Sequence, residues 1–190
     1  MEKAIFIKGY VEKLKNLLDD IDVQSISNII ELLEDTQKNG GVIYVIGNGG
    51  SAATASHIAN DLNIGLKRRG IRKFNVVSLT DNCSVGTAIS NDIGFENLFY
   101  MQLEDVVNEK DLLISISCSG NSPNIIKAVE YAKEKGTKIV GCTGFGKSKL
   151  RDLSDVNFHI DTPKGEYGLV EDMHMILDHI IYSYYISLDQ

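Results

Sequence analysis

Cysteine is scarce in this chain, and none of it is paired. Cys83, Cys118 and Cys142 are the only three, widely spaced and without a C-x-x-C pair. That pattern excludes a disulfide framework and a zinc knuckle, and it points to reduced thiols in a cytoplasmic protein. There are only two prolines, so there is no Pro-rich linker, and no repeat or low-complexity segment divides the 190 residues. Long apolar runs are missing: none reaches the roughly 18 residues that a membrane span needs. The first residues, MEKAIFIKGYVEKLKNLL, carry charges throughout, unlike the unbroken apolar core of a signal peptide. Positive charge is in the minority. A formal net charge of -7 argues against general nucleic-acid binding, which needs basic patches to displace counterions. It leaves room for an anionic ligand, because a nest of backbone N–H groups holds an anion inside an acidic protein. What remains is one soluble domain over residues 1–190, long enough to bury a sizeable core.

The hydrophobic period then divides the chain. Two helical patterns lead, at about Ala4–Leu18 and Val23–Lys38, forming an N-terminal extension of about residues 1–40 that Asn39-Gly40-Gly41 closes. Short apolar runs of strand type follow: Val42–Gly47, Phe74–Leu79, Asp111–Ser117, Lys138–Thr143 and Val156–Asp161. Helical stretches separate them, at about Ala52–Leu62, Glu96–Val106, Pro123–Lys135 and Lys147–Leu153, and a long helix closes the chain at Tyr167–Leu188. Apolar strands alternating with helices indicate a parallel sheet covered on both faces. The expected fold is α/β: a three-layer sandwich with a five-stranded parallel sheet, two leading helices and one long closing helix. The leading and closing helices offer more apolar surface than one small sheet needs; they either cover it or pack against another subunit.

Ligands of such sheets bind beyond the carboxyl ends of the strands. Two polar loops lie there. One is Gly47-Asn48-Gly49-Gly50-Ser51; the other is Ser117-Cys118-Ser119-Gly120-Asn121-Ser122. Each opens a helix, whose N-terminus offers free N–H donors and a partial positive charge to an anion. The hydroxyls add neutral donors for phosphate oxygens. Each loop taken alone also reads as an ordinary cap or turn. Gly47-x-Gly49-x-x-Ala52 fits a dinucleotide fingerprint loosely, with Asp81 as the acid for a ribose, but that reading leaves the serine-rich second loop unexplained. A phosphosugar site ranks above a nucleotide cofactor.

The stretches VIGNGGSAATASHIANDL, SNDIGFENLF and ISCSGNSPNIIKAVEYAKEKG together resemble the sugar-isomerase (SIS) domain family, and within it the phosphoheptose isomerases. The resemblance covers nearly the whole chain and implies a flavodoxin-like SIS fold. It also implies conversion of sedoheptulose 7-phosphate to a heptose 7-phosphate for surface glycan synthesis. Ser51, Ser117, Ser119 and Ser122 would bind the phosphate, assisted by backbone N–H groups of Gly49, Gly50 and Cys118. Asn48, Asp92 and its neighbour Asn91 would meet the sugar, and Glu171 would contact the substrate as well as a metal. The resemblance further implies a homotetramer with shared active sites and a metal, usually zinc, at the positions occupied by His57, Asp61, Glu171 and His179. Two of these depart from the family pattern, Asp61 standing for Glu and Glu171 for Gln, and both keep an oxygen ligand. The family's Asp-Arg pair is replaced by Gly168 and Leu169, and its Thr in the serine loop by Cys118. The group also includes a non-catalytic relative that assists a replication initiator, so a binding or regulatory protein is the alternative, and a nicotinamide-dependent oxidoreductase a third.

Aldose–ketose isomerisation needs a base, a proton donor near the carbonyl oxygen and stabilisation of an enediolate. Asp61 is the expected base and His179 its acid/base partner or a metal ligand. His57 and Asp61, four apart, share a helix face. Glu171 and His179, eight apart, diverge by about 80°, whereas Asp172 and His179 align within about 20°, so Asp172 rivals Glu171 for the site. His174 lies one turn from Glu171 and is a candidate to face another subunit; His159 reads as structural. The basic run Leu66–Lys73 reads as a solvated loop.

Overall fold

The structure, a computed structural model, describes residues 2–188. Five parallel strands, β1 (Ile43–Gly47), β2 (Val76–Ser78), β3 (Leu112–Ser117), β4 (Lys138–Gly144) and β5 (Val156–Ile160), form one sheet in the order β2-β1-β3-β4-β5. The chain steps outward from β1 to β2, then crosses back to β3 and continues the other way. The order therefore reverses between β1 and β3, and a crevice opens beyond their carboxyl ends. Those ends are level: Gly47 of β1 sits opposite Ile116 of β3, so the two polar loops emerge side by side.

Alternation along the strands feeds two cores. Ile43, Val45, Leu112, Ile114 and Val140 point to the face covered by α2 (Val23–Lys38), α3 (Gly50–Ala59) and α9 (Tyr167–Ser187). Ile46, Leu113 and Ile139 point to the face covered by α6 (Tyr100–Leu103), α7 (Pro123–Glu134) and α8 (Lys149–Leu153). Fully burying each such side chain contributes about 1.5–3 kcal/mol. Helix starts follow local chemistry. Asp22 caps α2 by accepting from the N–H groups of Gln24 and Ser25, both at 3.1 Å. Pro123 occupies the first turn of α7, where its missing N–H costs nothing.

Several boundaries differ from the sequence expectation. The helix after β1 runs on past Leu62: α3 passes into a π-helical turn at Asn60–Gly65 and then into α4 (Leu66–Arg68). The run from Leu66 is solvated as expected at Lys67, Arg68, Arg69, Gly70 and Lys73, but it is also anchored to the fold. Leu66 is fully buried, Arg69 donates to the Tyr182 hydroxyl at 3.2 Å, and Arg72 pairs with Glu34 at 3.1 Å while stacking on Tyr185. Helix α5 (Cys83–Asp92) went unforeseen because it buries none of its residues and so carries no apolar stripe. The single helix expected over Glu96–Val106 is broken into a 3-10 turn at Phe95–Asn97 and the short α6, and Asp105 adopts a left-handed φ of 60° just beyond it. No helix among the described residues is long and apolar enough to cross a membrane. Helix α1 (Lys3–Asp19) lies outermost, against α9, with no residue buried.

Candidate active site

The turn out of β1 is tight. A β-carbon on Gly47 would lie 2.5 Å from the backbone oxygen of Ser51, and Gly49 takes φ 55°, ψ -123°, a conformation natural only to glycine. This geometry places Ser51, 4 % exposed, at the first turn of α3, facing the second loop. There Gly120, with φ +59°, turns its N–H back onto the Ser117 hydroxyl at 3.2 Å, and the Ser117 and Ser122 hydroxyls stand 3.4 Å apart. Together Asn48, Ser51, Ser117, Cys118, Ser119, Ser122, Tyr167 and Glu171 line a cavity of about 170 Å³. Burial, and then the Glu171 carboxylate, push the Cys118 thiol up to about 11, so it adds no negative charge. Glu171 lies against the N-terminal end of α3, so close that a β-carbon on Gly50 would collide with its carboxyl.

A second, larger hollow of about 700 Å³ adjoins this one, sharing Asn48 and lined by Gly49, Leu79, Thr80, Cys83, Ser90, Asn91 and Phe99 among others. Asn91 donates to Asp92 at 2.8 Å, and both are exposed at the end of α5. Asn48 itself is clamped by a residue that sequence reasoning missed. Its amide donates to Asn124 at 3.0 Å and accepts from the Asn124 amide at 2.9 Å, and Asn124 is 1 % exposed at the start of α7. Nothing in its local sequence distinguishes Asn124 from a polar residue in a first turn. Asp81, the candidate ribose acid, is already occupied by the hydroxyls of Ser78, Thr80 and Ser56.

The third group lies further along the same two helices. α3 and α9 run side by side in the same direction. Gly50 meets Glu171, and seven residues on along each helix His57 meets Asp178, its Nε2 3.8 Å from Asp178 Oδ2. His57 Nε2 also lies 3.4 Å from Asp61 Oδ2 and 3.3 Å from His179 Nε2. One donor atom from each of His57, Asp61, Asp178 and His179 falls within 4.8 Å of the others, an arrangement that can hold a metal ion. Asp61 stands in the π turn, a local geometry common at functional sites, and its other oxygen accepts from Asn60 at 2.9 Å. Asp178 is the residue the sequence reading passed over, although an acid inside the apolar run MHMILDHII was a signal. Its side chain is 1 % exposed and neither oxygen has a hydrogen-bond partner among the described residues. Burial, then the nearby Asp61, push its carboxyl up to about 7. An unpartnered buried carboxylate is costly, and a bound cation would remove that cost, so the donor set fits a divalent metal.

Of the residues expected to hold a metal, the structure brings His57, Asp61 and His179 together and puts Glu171 elsewhere, in the serine-lined cavity. Eight residues of helix, about 12 Å, separate Glu171 from His179. Asp172, its rival, faces neither group: it accepts a 2.6 Å hydrogen bond from Tyr10 of α1. His174 does not face outward towards another subunit. It is 1 % exposed against Phe158, and burial pushes its imidazole down to about 4, leaving it neutral. His159 shares a 2.9 Å hydrogen bond with Thr143 in the sheet.

The sequence model of the SIS domain family matches residues 9–144. The chain is 38% identical over 178 residues to a phosphoheptose isomerase of Helicobacter pylori, covering 91% of this chain and 88% of that protein. To a phosphoheptose isomerase of Aneurinibacillus thermoaerophilus it is 38% identical over 183 residues, covering 93% and 90%. The solved structure of a phosphoheptose isomerase from Neisseria gonorrhoeae superposes with a TM-score of 0.84 at 29% identity, over 97% of this chain and 98% of that one.

Proposed function

This chain belongs to the SIS domain family, and from that membership and the geometry of its site we infer that it is a phosphoheptose isomerase. The observation that supports this most directly is the distance between its two chemical stations. The serine-lined cavity and the histidine–carboxylate cluster are seven residues apart along α9, from Glu171 to Asp178, about 10 Å. Carbons 1.5 Å apart advance roughly 1.3 Å per bond, so a seven-carbon chain plus its ester oxygen and phosphorus spans about 10 Å. A phosphate at Ser51, Ser117, Ser119 and Ser122 therefore sets the far end of a heptose beside His57, Asp61 and His179. Sedoheptulose 7-phosphate is the substrate we assign, with its 2-keto group at that end and a D-glycero-D-manno-heptose 7-phosphate as product. The product would serve synthesis of a heptose-containing surface glycan.

The phosphate is bound by hydroxyls and backbone N–H groups at two helix N-termini, without a lysine or arginine. Asn48, held rigid by Asn124, and the Asn91–Asp92 pair offer amide and carboxylate partners to the sugar hydroxyls. Asp61 takes the proton from the carbon next to the carbonyl, with Asn60 fixing its orientation, and returns it to the neighbouring carbon. His179 exchanges the proton on the oxygen side, with His57 against its ring. A divalent ion, zinc on the resemblance, held by the cluster would supply Lewis-acid polarisation of the carbonyl.

We further assign a homotetramer, with cytoplasmic location following from the reduced thiols. α1 leaves Ile5, Phe6 and Ile7 at 60–62% exposure in the single chain, and Phe95 stands exposed at the edge of the larger hollow. Other copies would cover the first patch and close the second. The deciding test is proton NMR with sedoheptulose 7-phosphate in D₂O, with added zinc and with chelator. An aldose anomeric signal is expected in the zinc sample. Binding without product or exchange in either sample would overturn the assignment in favour of a sugar-phosphate-binding role.

A further inference from the structure

The two carboxylates that the family resemblance offers a metal are Asp61 and Glu171, but the two that the fold brings to His57 and His179 are Asp61 and Asp178. We propose that Asp178 supplies the second carboxylate of a divalent-metal centre in this chain, and that Glu171 instead serves the sugar-phosphate cavity. Three observations carry this. Asp178 Oδ2 lies 3.8 Å from His57 Nε2, while the Glu171 carboxyl lies against Gly50 at the opposite end of the helix pair. Asp178 is also almost wholly buried, and no donor among the described residues reaches hydrogen-bond distance of either of its oxygens. A carboxylate in that condition is uncompensated while it is charged, and a cation held among its histidine and aspartate neighbours compensates it without a rearrangement. Finally, Asp178 stands among apolar residues, beside Leu177 and Ile181 of the stripe that packs α9 on the sheet. A core position of that kind carries an acid at a cost in stability, which is the mark of a residue kept for a ligand.

The resulting donor set is two imidazole nitrogens and two carboxylate oxygens, with a formal charge of two minus that a divalent ion neutralises. Such a set suits zinc, cobalt or manganese better than calcium, which takes oxygen ligands alone. Glu171, free of the metal, stays where its carboxyl meets the N-terminal end of α3, beside the serines. The proposal rests on the isomerase reading only in calling for a metal, and it is tested without substrate.

The experiment is titration of the chelator-stripped full chain with Co²⁺, followed by calorimetry and by visible absorption, with melting temperatures taken in chelator and in excess Co²⁺. Loss of residues that merely orient a ligand weakens binding about 10–100-fold, so Asp178→Asn should weaken Co²⁺ by at least about tenfold, change its d–d spectrum and shrink the metal-induced rise in melting temperature. In chelator the same variant should melt no lower than the parent, because it removes an unpaired charge. Asp178→Glu, which keeps a carboxylate, should recover part of the binding. Glu171→Gln should bind one Co²⁺ per chain with the parent spectrum. The proposal is overturned if the parent binds no Co²⁺, if Asp178→Asn binds it like the parent or melts lower in chelator, or if Glu171→Gln is the variant that loses it. A parent chain that binds Co²⁺ but turns over no heptose phosphate would sink the isomerase reading and leave this one standing.

Discussion

Replacing Gly47 with alanine probes the link between backbone geometry and phosphate binding. The new β-carbon would stand 2.5 Å from the carbonyl oxygen of Ser51, 2.6 Å from its carbonyl carbon and 2.9 Å from its β-carbon, whereas ordinary contact begins at 3.4 Å. The shortfall is about 1 Å, and two of the three atoms are backbone in the first turn of α3, so no rotamer change relieves it. Either β1 or the start of α3 must move. Overpacking of this kind costs about 1–3 kcal/mol of stability. The functional effect is larger in proportion: Ser51 is displaced by about the distance that costs roughly 10²-fold when a positioned group is lost from register. The variant should therefore unfold at lower urea concentration, and its kcat/KM for sedoheptulose 7-phosphate should fall about a hundredfold under conditions where it is still folded. Gly49→Ala is the control. Nothing lies within 4 Å of its added β-carbon, but its backbone conformation disfavours any side chain, so it pays only strain, about 1–3 kcal/mol. Parent-like stability and parent-like kcat/KM in Gly47→Ala would refute the claim that this turn sets the position of Ser51.

Removing both hydroxyls in Ser119→Ala/Ser122→Ala should raise KM by tenfold or more with little change in kcat, since hydrogen bonds to a charged group contribute about 1.5–3 kcal/mol each; steady-state kinetics read this directly. Asp61→Ala and His179→Ala should each abolish turnover while leaving binding of the phosphosugar measurable by calorimetry, and full activity in Asp61→Ala would remove it as the base. Asn124→Ala leaves the Asn48 amide without its partner and should cost about 1–3 kcal/mol in urea unfolding together with a raised KM. Tyr10→Phe loses the hydrogen bond to Asp172 that ties α1 to α9 and should cost about 1 kcal/mol, read by thermal unfolding.

The architecture was legible wherever burial imposes a period. The five strands and the helices α2, α7 and α9 pack apolar residues on the sheet, and their sequences show it. Helix α5 was not legible, because a helix that buries nothing leaves no periodic trace. The π turn was not legible either: His57 and Asp61 read as a regular i, i+4 pair, and the extra residue per turn that carries the chain on to Leu66 has no signature of its own. Within the site, the position of the serine loops could be read, because both follow strands that end where the strand order reverses. The choice between Glu171 and Asp172 could not, since ideal helix angles ignore what stands opposite. Tyr10, 162 positions away in sequence, is what takes Asp172 out of contention. Asp178 was hidden by the same limitation in reverse: beside a histidine on an apolar helix it looked incidental, and only the approach of α3 gives it company.

The matched march of α3 and α9 makes the pair a caliper. No single side chain sets the span between its jaws; the number of helical turns does. Point substitutions at either jaw would change how tightly a sugar is gripped or how fast it reacts, but not how long a sugar fits. A one-residue deletion between Ser51 and His57 would shift the histidine by about 1.5 Å and swing it by about 100°. Only removal of a whole turn from both helices together, about 5.4 Å or roughly four carbons of sugar, would close the jaws while keeping them facing each other. On the proposed reading, chain-length preference in this scaffold is therefore held by the backbone, and drift in the residues of the pocket leaves it intact.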